Sequence, residues 1–210
     1  MRPMYETAAV IRVAQLSRRF GEREVINGLD VEVTPGARLA LRGPNGSGKT
    51  TFLRCILGTV APTAGTVTVG GHAAGSLEAR KLIGATLSQE RSFYLRLTGR
   101  QNLAFFAQLR GLGAREVDAV VDELELGEIA AQRADRDSSG MLQQLAFARA
   151  LLGDPPVLLL DEPTRSLDVE ARKRVWAAVE RRPLAAVVVA SHLDEDLERA
   201  TALVDLGGPQ

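Results

Sequence analysis

The chain has 210 residues, 45% of them hydrophobic and 25% charged, which fits one globular domain with a sizeable core and room for a subdomain. Its 26 basic side chains balance 26 acidic ones, so no net charge draws it to nucleic acid or anionic lipid. A single cysteine, Cys55, excludes an internal disulfide, and the longest apolar runs, 157–160 and 184–190, fall far short of the roughly 20 residues that span a bilayer.

No apolar segment follows the opening Met1-Arg2-Pro3-Met4-Tyr5-Glu6, so a secretory signal is not expected and a reducing, cytoplasmic location is. Residues 10–20 alternate as a strand, and 24–33 carry further strand character. Thr34-Pro35-Gly36 then turns the chain into the apolar run Arg38-Leu39-Ala40-Leu41. A helix is predicted over 52–57, with Cys55 inside it as a small core residue, then a turn at 62–65 and a hairpin strand at 66–71. His72, just past that hairpin, is given no role. Helical periodicity governs 97–126, with Leu103, Phe106 and Leu109 on one segment and Val117, Val120, Val121 and Leu124 on the next, separated by Gly111 and Gly113. A helix over 141–152 stops at Gly153-Asp154-Pro155-Pro156. Two wholly apolar strands, 157–160 and 184–190, flank a helix at 169–182, which makes a βαβ unit and hence a parallel sheet with helices on its faces.

Between the strand at 38–41 and the helix at 52–57 lies Gly43-Pro44-Asn45-Gly46-Ser47-Gly48-Lys49-Thr50-Thr51, which reads as a phosphate-binding loop. Glycines at 43, 46 and 48 let the backbone wrap closely enough for successive N–H groups and the positive end of the following helix to point at an anion. Lys49 is placed to reach the β- and γ-phosphates, and the Thr50 hydroxyl to complete the shell of a Mg²⁺ ion bridging them. Lysine occurs only at 49, 81 and 173 in a chain that otherwise uses arginine, so its use at this one position is informative. ATP and Mg²⁺ are the expected ligands.

Asp161 and Glu162 end the strand Val157-Leu158-Leu159-Leu160 at the carboxyl edge of the sheet, where ligand crevices of open α/β sheets lie. Beside a phosphate loop, Asp161 is expected to orient the Mg²⁺ shell and Glu162 to take a proton from the water that attacks the γ-phosphate. Ser191-His192 follows the second apolar strand, which puts His192 at the same edge, within reach of the γ-phosphate.

Between these motifs stands Asp137-Ser138-Ser139-Gly140-Met141-Leu142-Gln143-Gln144, which resembles the signature segment of ATP-binding cassette (ABC) transporter nucleotide-binding subunits. The resemblance covers nearly the whole chain. It implies an α/β P-loop NTPase core with a parallel sheet flanked by helices, an N-terminal antiparallel β subdomain and an inserted helical subdomain near 90–150, all in one domain over 1–210. It also implies that Ser138, Ser139 and Gly140 form an anion-binding tip facing the γ-phosphate held by a second, identical copy, so that two subunits sandwich two ATP molecules head to tail. Gln89 matches the glutamine that links metal and attacking water to the helical region, Phe20 the aromatic that stacks on adenine, and Ser166-Leu167-Asp168 the loop across the dimer interface. Asp137 departs from the family's apolar residue, Ser139 from its first glycine, and Gln144 from a common arginine.

By the same resemblance, residues 89–98 receive a separate membrane subunit, with Phe93, Tyr94 and Leu95 as anchors. Short length, the expected lack of an appended domain and the stretch from Glu90 to Thr98 resemble export-type subunits for drugs, polysaccharides or lipids, peripheral on the cytoplasmic face of the inner membrane through that partner. A cytochrome-maturation haem-exporter subunit is the rival within the class. A soluble cassette ATPase acting on ribosomes or DNA is the rival outside it, although such proteins usually carry two cassettes or a coiled-coil insertion. A phosphoryl-transfer kinase is a third reading, and it has no need of the segment from Ser138 to Met141.

Overall fold

A computed structural model describes residues 10–87 and 93–207, which divide into two compact units. The first comprises residues up to Ile83, Pro156–Glu162 and the chain from Leu184 onward; the second comprises Gly84–Pro155 and Pro163–Pro183. No helix among the described residues is long and apolar enough to cross a membrane.

The first unit opens with β1 (Ile11–Phe20) and β2 (Arg23–Val33), an antiparallel hairpin turned at Gly21. Strand β1 buries Ile11, Val13 and Leu16, a spacing that strict alternation forbids. The break is a bulge: Gln15 has φ 49°, the register shifts between Val13 and Leu16, and the Asp30 carboxylate takes the Gln15 N–H at 2.8 Å. Next come β3 (Arg38–Arg42), α1 (Lys49–Leu57), β4 (Ala64–Val69), β5 (His72–Ala73) and α2 (Leu77–Lys81). One sheet has the order β2-β1-β4-β5 and is antiparallel throughout. Helix α1 buries Phe52, Leu53, Cys55 and Ile56 completely, and burial pushes the Cys55 thiol up against the smaller opposing effect of the Arg18 charge, leaving an inert core sulfur.

Strand β6 (Ile83–Thr86) leads out of this unit after its first residue. The second unit then holds α3 (Gly99–Leu109), α4 (Ala114–Glu123), α5 (Gly127–Ala131), α6 (Ser139–Leu151) and α7 (Val169–Glu180). The expected stripe on α3 is corrected here. Leu103 is buried, but Leu109 is 70% exposed, and Asn102 and Ala107 complete the inward face instead. At 3.6 residues per turn Leu109 stands about a quarter-turn from the centre of that stripe. Helix α4 fulfils its pattern, with Val117, Val120 and Val121 buried. Its last residue, Glu123, takes two bonds from the Arg182 guanidinium, at 2.8 and 2.9 Å, which hold its carboxyl below the usual range and tie the end of α4 to the end of α7.

The chain re-enters the first unit with β7 (Val157–Asp161) and again with β8 (Ala186–Ala190), α8 (Asp194–Leu197) and β9 (Ala202–Asp205). Every residue of β7 and β8 is buried. Within this unit the parallel sheet runs β7-β8-β3-β9, with Asp161 opposite Ala190, Leu41 opposite Ala190 and Arg42 opposite Asp205. That register brings the carboxyl ends of the strands to one edge. The helix read at 141–152 begins two residues earlier, at Ser139, because Ser138 caps it.

Gly84 in β6 is forced: a Cβ there would collide with the Ala150 carbonyl of α6 and lie 2.8 Å from the Pro155 ring. Gly84→Ala is therefore expected to destabilise the fold by about 1–3 kcal/mol in urea titration, the usual range for overpacking. An unchanged midpoint would mean that the α6 backbone yields at no cost.

Candidate functional site

The phosphate loop is shaped by backbone that only glycine adopts readily. Gly48, with φ 103°, caps α1, and a Cβ on it would come within 2.9 Å of Val25. Gly43, with φ 150°, lies under the Leu206 carbonyl, 2.9 Å from where its Cβ would be. The Ser47 N–H donates to the Pro44 carbonyl at 3.2 Å, and Arg23 reaches from β2 to donate to the Gly46 carbonyl at 3.1 Å. No acidic residue occupies the first turn of α1, so its positive end keeps its field. Beside the loop is a cavity of about 660 Å³ lined by Arg23, Val25, Asn27, Asn45, Ser47 and Asp205 among others.

Lys49 is only 8% exposed, and its ammonium donates to the Gly43 and Pro44 carbonyls at 2.6 and 3.0 Å. The cation is thus held in the mouth of the loop by the loop's own backbone. Thr50 follows on the first turn of α1, and its hydroxyl donates to Asp161 Oδ2 at 2.8 Å. That bond joins two segments 111 residues apart in sequence, and Asp161 itself is 3% exposed. Thr51 continues the same helical turn.

Glu162 leaves β7 with φ 49°, and its N–H donates to the Ala190 carbonyl at the end of β8 at 2.7 Å. This left-handed residue swings its carboxylate away from the strand line and toward the residues after β8. His192 Nε2 lies 3.4 Å from Glu162 Oε1, with the imidazole 45% and the carboxylate 13% exposed. The turn carrying His192 is fixed from beneath: the Ser191 hydroxyl donates to Asp196 Oδ2 at 2.7 Å and accepts from the Leu193 N–H at 3.1 Å.

Phe20 ends β1, 46% exposed, and pairs across the hairpin with Arg23 at the cavity wall. Gln89 lies outside the described residues, as do Glu90, Arg91 and Ser92 of the expected docking stretch.

Ser138, Ser139 and Gly140 belong to the second unit. The Ser138 hydroxyl accepts from the Met141 N–H at 3.2 Å, while its own N–H points at the Met141 sulfur at 3.5 Å. Ser139 opens α6 and is exposed. Gly140 lies beneath the Ser166 carbonyl, 2.6 Å from where a Cβ would be, so this position admits nothing larger. Ser166 has φ 64°, and Asp168 caps α7 through the Ala171 N–H at 2.8 Å, which fixes the loop from 166 to 168 against the start of α6. Asp137 accepts from Gln132 Nε2 at 2.6 Å; burial nevertheless pushes its carboxyl up, over the lowering effect of that bond, with Asp135 adding to the rise.

In the docking stretch the expectation for Phe93 is corrected. It is 6% exposed, edge-on to Phe106 and under the Arg149 guanidinium at 5.0 Å, so it packs inside the second unit. Tyr94 and Leu95 are exposed, at 52% and 54%. The fully buried Asn102 holds their backbone, accepting from the Tyr94 N–H at 2.7 Å and donating to the Tyr94 and Thr98 carbonyls.

Phosphate loop, Asp161, Glu162, His192 and Phe20 therefore gather in the first unit, while the Ser138 tip stands in the second. Arg23, Ser191 and Asp196 are supporting residues that sequence reasoning did not find. Arg23 sits in a strand, and Asp196 lies in a run of charges that looks like solvated surface.

The pattern of the ABC transporter family matches residues 26–165. The Nod factor export ATP-binding protein I of Rhizobium meliloti (strain 1021) is 37% identical over 207 residues, covering 94% of this chain and 61% of its own. The daunorubicin resistance ATP-binding protein DrrA3 of Streptomyces coeruleorubidus is 37% identical over 181 residues, covering 84% of this chain and 57% of its own. The chain thus spans about three fifths of the length of the curated relatives it matches. Among solved structures, an ATP binding subunit of an ABC transporter superposes with a TM-score of 0.85 at 24% identity, over 93% of this chain and 85% of that one. The dimeric bacterial ABC transporter cassette MJ0796 gives 0.84 at 23% identity over 94% of both chains. With the family pattern matched over residues 26–165, two thirds of its length, this chain belongs to the ABC transporter family.

Proposed function

We propose that this chain binds and hydrolyses ATP to power export through a separate membrane subunit, for cargo of the drug, polysaccharide or lipid type. The observation that carries the reading is the junction of Thr50 with Asp161, beside Lys49 and beside the Glu162–His192 pair at the adjacent strand end. Names of relatives, Nod factor export and daunorubicin resistance, support the export direction.

In this reading the loop amides and the start of α1 grip the phosphates. Lys49 exchanges the Gly43 and Pro44 carbonyls for β- and γ-phosphate oxygens, which are stronger partners for an ammonium. A hydroxyl and a carboxylate 2.8 Å apart are hard oxygen donors suited to Mg²⁺, which takes few protein ligands when phosphates and water supply the rest. Bound there by Thr50, Asp161 and Gln89, the ion would offset charge on the phosphate oxygens. Glu162 accepts the proton of the attacking water, and His192, held by Ser191 and Asp196, contacts the γ-phosphate. A second copy lends Ser138, Ser139 and Gly140 across a head-to-tail dimer, with Phe20 stacked on adenine.

The same reading treats 1–210 as one cassette with its helical subdomain near 90–150. It lies on the cytoplasmic face of the inner membrane through its partner, which Tyr94 and Leu95 engage. ATP closes the dimer, hydrolysis and release reopen it, and Gln89 carries the motion to the helical region.

Three variants test this. Lys49→Ala should weaken ATP binding about 10- to 100-fold by calorimetry, the loss of one charge-assisted contact of about 1.5–3 kcal/mol. Glu162→Gln should bind ATP, accumulate as a closed dimer in size-exclusion chromatography and lose hydrolysis by about 10²- to 10⁴-fold; ordinary turnover would remove Glu162 from its role. Tyr94→Asp should keep its thermal melt yet fail to co-purify with the membrane subunit, and undiminished co-purification would rule out this docking surface.

A further inference from the structure

Arg18 and Phe20 stand two residues apart at the end of β1, where the register against β2 shifts between Arg18 and Arg19, and their side chains meet across that irregularity. The guanidinium carbon of Arg18 lies 4.2 Å from the Phe20 ring centroid, well inside the range of a cation–π contact. This cation is anchored. Its Nη1 donates to the Ala61 carbonyl at 2.9 Å, just beyond the end of α1, and its Nε is buried without a hydrogen-bond partner among the described residues. Phe20 is nonetheless 46% exposed. It pairs in register with Arg23, which lines the cavity beside the phosphate loop and bonds to Gly46.

An exposed aromatic at a strand end samples several rotamers, and a base that stacks on it must first select one. A guanidinium clamped to one face removes that choice and leaves the opposite face for a second flat group. We propose that Arg18 is a positioning residue for nucleotide recognition, which holds Phe20 as a fixed platform so that a purine ring stacks on the face the cation leaves free. This rests on the reading of Phe20 as the base-stacking residue. Arg18 acts through the ring and does not touch the phosphates, so it contributes to affinity for a nucleotide but not for its polyphosphate alone.

The test is calorimetric titration of the full chain with a non-hydrolysable ATP analogue and, separately, with inorganic tripolyphosphate, both with Mg²⁺. The variants are Arg18→Gln, which keeps the stem and a donor but loses the charge, Arg18→Ala, Phe20→Ala and the double variant Arg18→Gln/Phe20→Ala. Arg18→Gln is expected to raise the Kd for the analogue about threefold to tenfold, the scale of one cation–π contact plus the ordering it supplies. Tripolyphosphate affinity should stay put, and Arg18→Gln should add nothing once Phe20 is alanine. An analogue Kd unmoved by both Arg18 variants while Phe20→Ala weakens it would overturn the proposal and leave base stacking intact. Additive losses in the double variant, or a parallel fall in tripolyphosphate affinity, would also overturn it. If Phe20→Ala itself changes nothing, the stacking reading fails and this inference with it.

Discussion

A single hydrogen bond from the Thr50 hydroxyl to Asp161, 2.8 Å long, joins the phosphate loop to the acidic end of β7 across 111 residues of chain. It can form only because β3, β7 and β8 run parallel in one sheet, with Leu41 and Asp161 both opposite Ala190. The loop leaves the sheet where β3 ends, the carboxylates leave where β7 ends, and His192 leaves where β8 ends. Parallel register is thus the constraint on which the site depends. The burial of every residue in β7 and β8 makes that register costly to shift, because a slip would carry Asp161 and Glu162 along the edge and away from Thr50.

Around this junction, small backbone departures aim the side chains. Glu162 turns its carboxylate through a left-handed conformation and anchors the turn by a bond to Ala190, so the strain at one residue is held by its neighbour strand. Ser191 and Asp196 do the same for His192 from below. In the second unit, Gly140 fits beneath Ser166 so closely that no side chain has room between the start of α6 and the loop before α7. Asp137 stands just before this tip with its charge disfavoured by burial.

Much of this is legible in the sequence because the informative residues carry backbone or charge requirements that few others meet. Gly43, Gly46, Gly48 and Lys49 announce an anion loop, and two carboxylates after four apolar residues announce a strand end. The apolar runs at 157–160 and 184–190 mark the buried parallel strands for the same reason. Other features leave no such trace. Strand β9 is four residues with no periodicity to separate it from loop, and the bulge at Gln15 disguises the pattern of β1. Leu109 turns outward and Phe93 inward, which composition does not reveal in short segments; Asn102, a polar residue at 0% exposure, fills the inward face of α3 instead. Arg23 and Asp196 act through geometry that exists only once the chain has folded.

The central claim is that triphosphate is gripped by one copy and capped by another. A crystal structure of Glu162→Gln with ATP and Mg²⁺ tests it most directly. The account predicts two copies related by a two-fold axis, with each triphosphate touching Lys49 and Thr50 of one and Ser138 of the other. A nucleotide bound at Lys49 while the Ser138 tips face away from it, in a state saturated with ATP, would contradict it.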